Sequence, residues 1–295
     1  TKYFIAEADA VAQVWTGAIA TVDATTANNT FTVTIGGVAV SVAGVASAAA
    51  TAAALVVALN ASTHPYFSGI TWSVPSGSNV RGTADVLGVP FDATISKSGA
   101  GTGTVTAFAV TTANAGPEDW SSALNWSDGA IPANTDTVII EGIASNILWG
   151  LLQSGVTLTS LVIRKTFTGK IGLDGRTFAV AKNGDNPNVT KQEYRQAYLH
   201  IGYDRADIGQ HVGSGNPSGS SRIKLRNAKA GASTTVVYET ASAPAETGFP
   251  AVRLLLNHAN ADVVVRGATG GVGVAMDEAG ETSTVGAVSV SAGSL

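Results

Sequence analysis

The stretch at 119–141, Asp-Trp-Ser-Ser-Ala-Leu-Asn-Trp-Ser-Asp-Gly-Ala-Ile-Pro-Ala-Asn-Thr-Asp-Thr-Val-Ile-Ile-Glu, constrains the fold most, because the residue pattern changes character across it. Ahead of it, apolar residues alternate with Thr and Ser around one Ala-rich stretch of helical spacing. Behind it come short β-rich runs separated by Gly, Asn and Asp turns. Such a change is expected where a small module joins a β-solenoid, and the fold class read from it is mainly β.

Composition supports that class. Only 13% of the residues are charged, about half the share of an ordinary globular domain. A disordered chain needs low hydrophobicity and high net charge; here the hydrophobic share is 45% and the net charge −4. The mild acidity argues against a general nucleic-acid binder. There is no cysteine, so neither disulfides nor thiolate metal sites contribute. No run approaches the roughly 20 apolar residues of a membrane span, and the first residues lack the apolar core of a signal peptide. The expectation is a soluble protein made in the cytoplasm, with neither membrane nor nucleic acid as partner.

The first module is read as 1–112, in ββαβββ order. Phe31, Val33 and Ile35 alternate with Thr32 and Thr34, Gly36-Gly37 follows, and Val38, Val40 and Val42 alternate with Ala39 and Ser41. Two half-buried strands around a tight Gly-Gly turn form a hairpin. From Ser47 to Asn60 the period becomes helical: Ser47 caps, and Ala48, Ala52, Leu55, Val56 and Leu59 share a face. Strands resume at 70–74, 85–95 and 105–110. Residues 113–118, with Gly116 and Pro117, read as a linker.

The second module, 119–295, carries apolar β-runs at 138–140, 161–163, 198–201, 223–225, 236–238, 254–256, 263–265 and 285–290. Their spacing is irregular, which a β-helix tolerates by letting loops of different length leave its corners. A β-sandwich is the alternative.

The densest polar cluster is Glu193, His200, Asp204, Asp207 and His211, with Tyr194, Tyr198 and Tyr203 alongside. Paired carboxylates can cleave glycosides, Asp and His can hold a cation, and tyrosines can stack on sugars. Against these stands a solvated loop with tyrosines as anchors, the reading preferred here. Arg222, Lys224 and Arg226 would share one strand face, read as solvated in preference to phosphate-binding. The glycines of Gly267-Ala-Thr-Gly-Gly-Val-Gly273 precede no helix, so a turn is expected and not a dinucleotide loop. There is no nucleophile elbow, zinc helix or phosphate loop. No catalytic residue, metal ligand or cofactor is assigned, and the expectation is a protein that is not an enzyme.

Ile147-Leu148-Trp149-Gly150-Leu151-Leu152 is more apolar than a strand with a wet face requires. It is either a core segment or a seam between subunits. Trp120 and Trp126 are expected to cover the open end of the solenoid. Trp120, Trp126, Leu148, Trp149, Leu151 and Leu152 are therefore the candidate interface residues.

Two segments carry a resemblance. The Thr-Val-Thr-Ile-Gly-Gly hairpin, the helix ending Ala58-Leu59-Asn60 and the Gly88-Val89-Pro90-Phe91 turn resemble a module of tailed-bacteriophage virion structural proteins. Trp120 and Trp126, with Pro132 and Asp136-Thr137-Val138-Ile139-Ile140, look like the entry rung of right-handed β-helices in phage and bacterial surface proteins. The resemblance implies a right-handed β-helix after the small α+β module. It also implies a virion structural protein on the capsid surface: a homotrimeric decoration or cement protein whose partners are itself and the major capsid protein. A tail spike or fibre that binds or cleaves host glycan is the alternative.

Overall fold

The computed structural model describes residues 1–23, 28–174, 176–177, 190–191, 193–210, 222–238, 251–256, 258–268, 272–274 and 285–293. They form two compact bodies, Asp9–Gly116 and the combination of Thr1–Ala8 with Pro117–Leu295. The first eight residues thus pack with the far body, not with the module that follows them in sequence. The small body is inserted between the first strand of the large body and the rest of it.

That first strand, β1 (Lys2–Tyr3), precedes the insert. Within the insert, β2 (Val14–Thr21), β5 (Ile70–Ser73), β6 (Asn79–Ala84) and β8 (Thr104–Thr112) make an antiparallel sheet in the order β5-β6-β2-β8. A second antiparallel sheet, β4-β3-β7, is built from β3 (Thr30–Ile35), β4 (Val38–Ala43) and β7 (Thr94–Ser98). The order is therefore βββαββββ. It adds β2 and β6 to the expected elements and resolves the 85–95 run into a turn followed by β7. The β3–β4 hairpin closes on Ile35 and Val38, with φ of 56° at Gly36 and 80° at Gly37, the left-handed pair that a two-residue hairpin turn requires.

Helix α1 (Ala48–Asn60) begins where Ser47 Oγ accepts the Ala50 N–H at 3.1 Å. Thr51, Ala52, Leu55 and Leu59 are buried. At its end the Asn60 side chain acts as a strand partner: Oδ1 accepts the Trp72 N–H at 3.0 Å and Nδ2 donates to the Trp72 carbonyl at 2.9 Å. The entry and exit of the insert meet, since Val11 N–H donates to the Ala115 carbonyl at 2.8 Å.

The large body is mainly parallel β. Its strands are β9 (Thr137–Ile140), β10 (Leu152–Arg164), β11 (Lys170–Ile171), β14 (Leu199–Gln210), β15 (Arg222–Asn227), β16 (Ser233–Val237), β17 (Val252–Leu255), β18 (Ala261–Ala268), β19 (Val272–Val274) and β20 (Ala287–Gly293). A small antiparallel pair, β12 (Arg176–Thr177) with β13 (Thr190–Lys191), stands apart. Each apolar run read from the sequence lies on or overlaps one of these strands.

Pairing proceeds in parallel register from β1 through β9, β10, β14, β16 and β18 to β20. It places Ile140, Ile163, Ile208, Val237 and Val265 side by side, all buried. A second parallel succession aligns Ile147, Ile171, Ile223, Val252 and Val272, also buried. Burying one such aliphatic side chain contributes about 1.5–3 kcal/mol, so these rows are the main source of the body's stability. Between the rows, Tyr203 is fully enclosed and shares a 3.0 Å hydrogen bond with Thr235 Oγ1. Among the described residues no helix is long and apolar enough to cross a membrane.

Candidate functional site

The six apolar candidates divide between core and surface. Trp120, Trp126 and Leu151 are buried in the large body's core, and Leu148 is half-buried. Leu152, at the start of β10, is 63% exposed. The 147–152 segment is therefore core at Ile147 and Leu151 and surface at Leu152.

Trp120 and Trp126 meet edge to face with centroids 4.7 Å apart, and Phe4 packs on both, 5.2 Å from Trp126 and 6.4 Å from Trp120. Trp126 Nε1 donates to the Trp120 carbonyl at 2.9 Å. Asn125, between them, is fully buried; its Oδ1 accepts the Ala8 N–H at 2.8 Å and its Nδ2 donates to the Asp119 carbonyl at 2.7 Å. This cluster lies at β1, the first strand of the parallel succession. Trp149 is paired to it through the backbone, Trp120 N–H donating to the Trp149 carbonyl at 2.9 Å, and the Arg195 guanidinium lies 4.5 Å from the Trp149 ring centroid.

The polar cluster takes a different form from the expected solvated loop. Asp204, Asp207 and His200 stand on strand β14, and each carboxylate is held by its own cation. Asp207, almost wholly buried, receives two 2.7 Å hydrogen bonds from Arg205; that pairing raises the Arg205 pKa above its ordinary value. Asp204 accepts from Lys229 at 2.6 Å, and buried Glu193 accepts from Arg195 at 2.9 and 3.1 Å. Tyr203 points inward, and burial pushes its pKa up to about 12, so its ring is a core element and offers no face to a sugar. Tyr198 is buried with Lys224 Nζ 5.4 Å from its ring centroid. His211 lies outside the described residues. Among those described, no group of three or more His, Cys, Asp or Glu side chains could hold a metal ion.

The basic stripe is also corrected. Arg222 and Lys224 are buried, not solvated, and only Arg226 is half-buried. Arg222 pairs with Asp174, and Lys224 Nζ donates to the Leu173 carbonyl at 2.7 Å. Lys224 registers with Arg253 on the next strand, which is also fully buried. The heads of Arg222 and Lys224 are thus met by a carboxylate and a carbonyl, as buried cations require. Of the Gly267–Gly273 segment, Gly267 and Ala268 end β18, Val272 and Gly273 open β19, and 269–271 lie outside the described residues.

Sequence reasoning missed Phe4 and Asn125. The signal for Phe4 was a short apolar run, Tyr3-Phe4-Ile5, with no local partner; Asn125 carried none. Compared with family models, curated proteins and solved structures, the chain matches none.

Proposed function

We propose that the chain is a structural virion protein of a tailed bacteriophage, a decoration or cement protein that works as a homo-oligomer, with a homotrimer the form the resemblance implies. In this reading the large body is a β-solenoid whose rungs are the repeated visits of the chain to the two parallel successions. The observation that carries it is the register itself: rows of buried aliphatic residues run through strand after strand, while loops of unequal length separate them. Such a body offers long, regular, rigid surfaces for contact with a shell. The pairing of Asp204, Asp207 and Glu193 each with its own cation supports an architectural role for the polar residues.

The test is the copy number of the chain per particle, by quantitative mass spectrometry of purified virions from its source, normalised to the major shell protein. A near-stoichiometric ratio supports a shell-covering role. A handful of copies points to a fibre or spike, and absence from the particle overturns the reading.

A further inference from the structure

Strand β4 is an edge, and its backbone groups can be assigned to one side or the other. It pairs only with β3 among the described residues, in an unbroken register from Ile35↔Val38 to Thr30↔Ala43. In an antiparallel ladder, opposed residues alternate between those that exchange hydrogen bonds and those that do not. The two-residue turn puts Ile35 and Val38 in the bonded class, so Val33 with Val40 and Phe31 with Val42 follow. The 2.9 Å bond from Gly44 N–H to the Asn29 carbonyl continues the series. The N–H and C=O groups of Ala39, Ser41 and Ala43 consequently turn outward, away from β3. All three residues are exposed.

Edges of this kind are normally guarded by a charge, a proline or a bulge. The other edge of the sheet, β7, carries Lys97. Strand β4 reads Val-Ala-Val-Ser-Val-Ala, without any of the three devices.

The outward set is also symmetric. Read in either direction from Ser41, the sequence is the same: Ala39-Val40-Ser41-Val42-Ala43. We propose that β4 pairs antiparallel with β4 of a second copy about a two-fold axis at Ser41, joining two three-stranded sheets into one. Ser41 then exchanges both backbone bonds with its own counterpart, Ala39 does so with Ala43 of the second copy, and Val40 lies beside Val42. The centre of symmetry falls on a residue whose bonding groups point outward, which a two-fold pairing of this bonded type needs; had it fallen on Val40 or Val42, those groups would already be engaged by β3. The side chains at the seam are small and uncharged. Val38, Val40 and Val42, half-buried in one copy, gain cover from their counterparts. The contact is isologous and self-limiting, closing at two copies. It is independent of the virion reading and concerns only the small body.

The experiment uses the full chain and four single substitutions. Sedimentation velocity over rising concentration is expected to show a reversible equilibrium in which the lightest species pairs with a second. Ser41→Lys sets two ammonium groups opposite each other and weakens that equilibrium by up to about fivefold, while the small body keeps its fold, because Ser41 is exposed and loses only its 2.8 Å side-chain hydrogen bond to Thr32. Ser41→Glu alone does the same, and an equimolar mixture of the two variants recovers association. In a chain without cysteine, Ser41→Cys places two thiols on Cα atoms about 5.5 Å apart, within disulfide reach. It is expected to form a linked pair under mild oxidation faster than Ser96→Cys on the opposite edge. A species of unchanging mass at every concentration overturns the proposal. So does an oligomer equally populated by wild type, S41K and S41E, or equal cross-linking of S41C and S96C.

Discussion

Phe4 lies edge-on to Trp126, ring centroids 5.2 Å apart, although the whole small body separates the two residues in sequence. The contact ties the segment before the insert to the segment after it, and it is backed by Phe4 N–H donating to the Ile139 carbonyl at 3.1 Å. Phe4→Ala is expected to lower the stability of the large body by about 3–5 kcal/mol, measured by denaturant unfolding. Trp120→Ala should cost a similar amount; an unchanged melting temperature in that variant would show that the cluster does not close the first strand.

Two glycines of similar backbone angle should respond differently to the same change. Gly150 has φ of 65°, and a β-carbon there would fall 2.3 Å from Asp119 Oδ1 and 2.6 Å from Ser121 N. Gly37 has φ of 80° with nothing within 4 Å of such an atom. Gly37→Ala should cost about 1 kcal/mol of backbone strain, whereas Gly150→Ala adds a clash with backbone and should cost about 3 kcal/mol or more. Thermal melts of the two variants decide the ordering.

The enclosed phenol of Tyr203 links stability to alkaline pH. Its folded pKa of about 12 stands above the ordinary phenol value of 10.0. Between those values the unfolded chain releases a proton that the folded one keeps, so stability is intact below pH 10 and falls as pH rises toward 12. The loss is about 2–3 kcal/mol. Tyr203→Phe should flatten that part of the pH–stability curve, followed by chemical unfolding from pH 8 to 12.

His64 gives the small body a dependence in the opposite direction. Burial lowers its pKa from 6.5, and its Nδ1 accepts the Tyr66 N–H at 3.2 Å, so the folded state favours the neutral ring. Below about pH 6.5 the unfolded chain takes up the proton first, and stability declines as the medium is acidified. His64→Gln should reduce the decline between pH 6.5 and 5 in thermal melts of the chain.

Local pattern revealed much of the fold. Gly36-Gly37 between two alternating runs gave the hairpin, and Ser47 with its apolar spacing gave the helix. Strand β2 was not legible because Gly17 and two alanines dilute it; the structure shows why Gly17 is there, since a β-carbon would meet the Phe108 ring at 2.9 Å. The pairing of Lys2 with Val138 left no local trace, because parallel partners far apart share no turn. Burial of Arg222, Lys224 and Arg253 was equally hidden: cations on a strand face read as wet unless the acceptors opposite them are known. The candidate interface residues were legible as apolar, but whether each faces core or solvent depends on distant partners, such as Phe4 against Trp120 and Trp126, that only the assembled body brings together.

The insertion also sets an order of assembly. During synthesis the small body holds all its partners once Gly116 has been made, and it can fold while the remainder is still being added. Lys2, Tyr3 and Phe4 must wait until Val138 and Ile139 follow. A nascent chain therefore carries a finished module next in sequence to an unmatched strand, and Tyr3-Phe4-Ile5 is an apolar target for a holdase until β9 has been made.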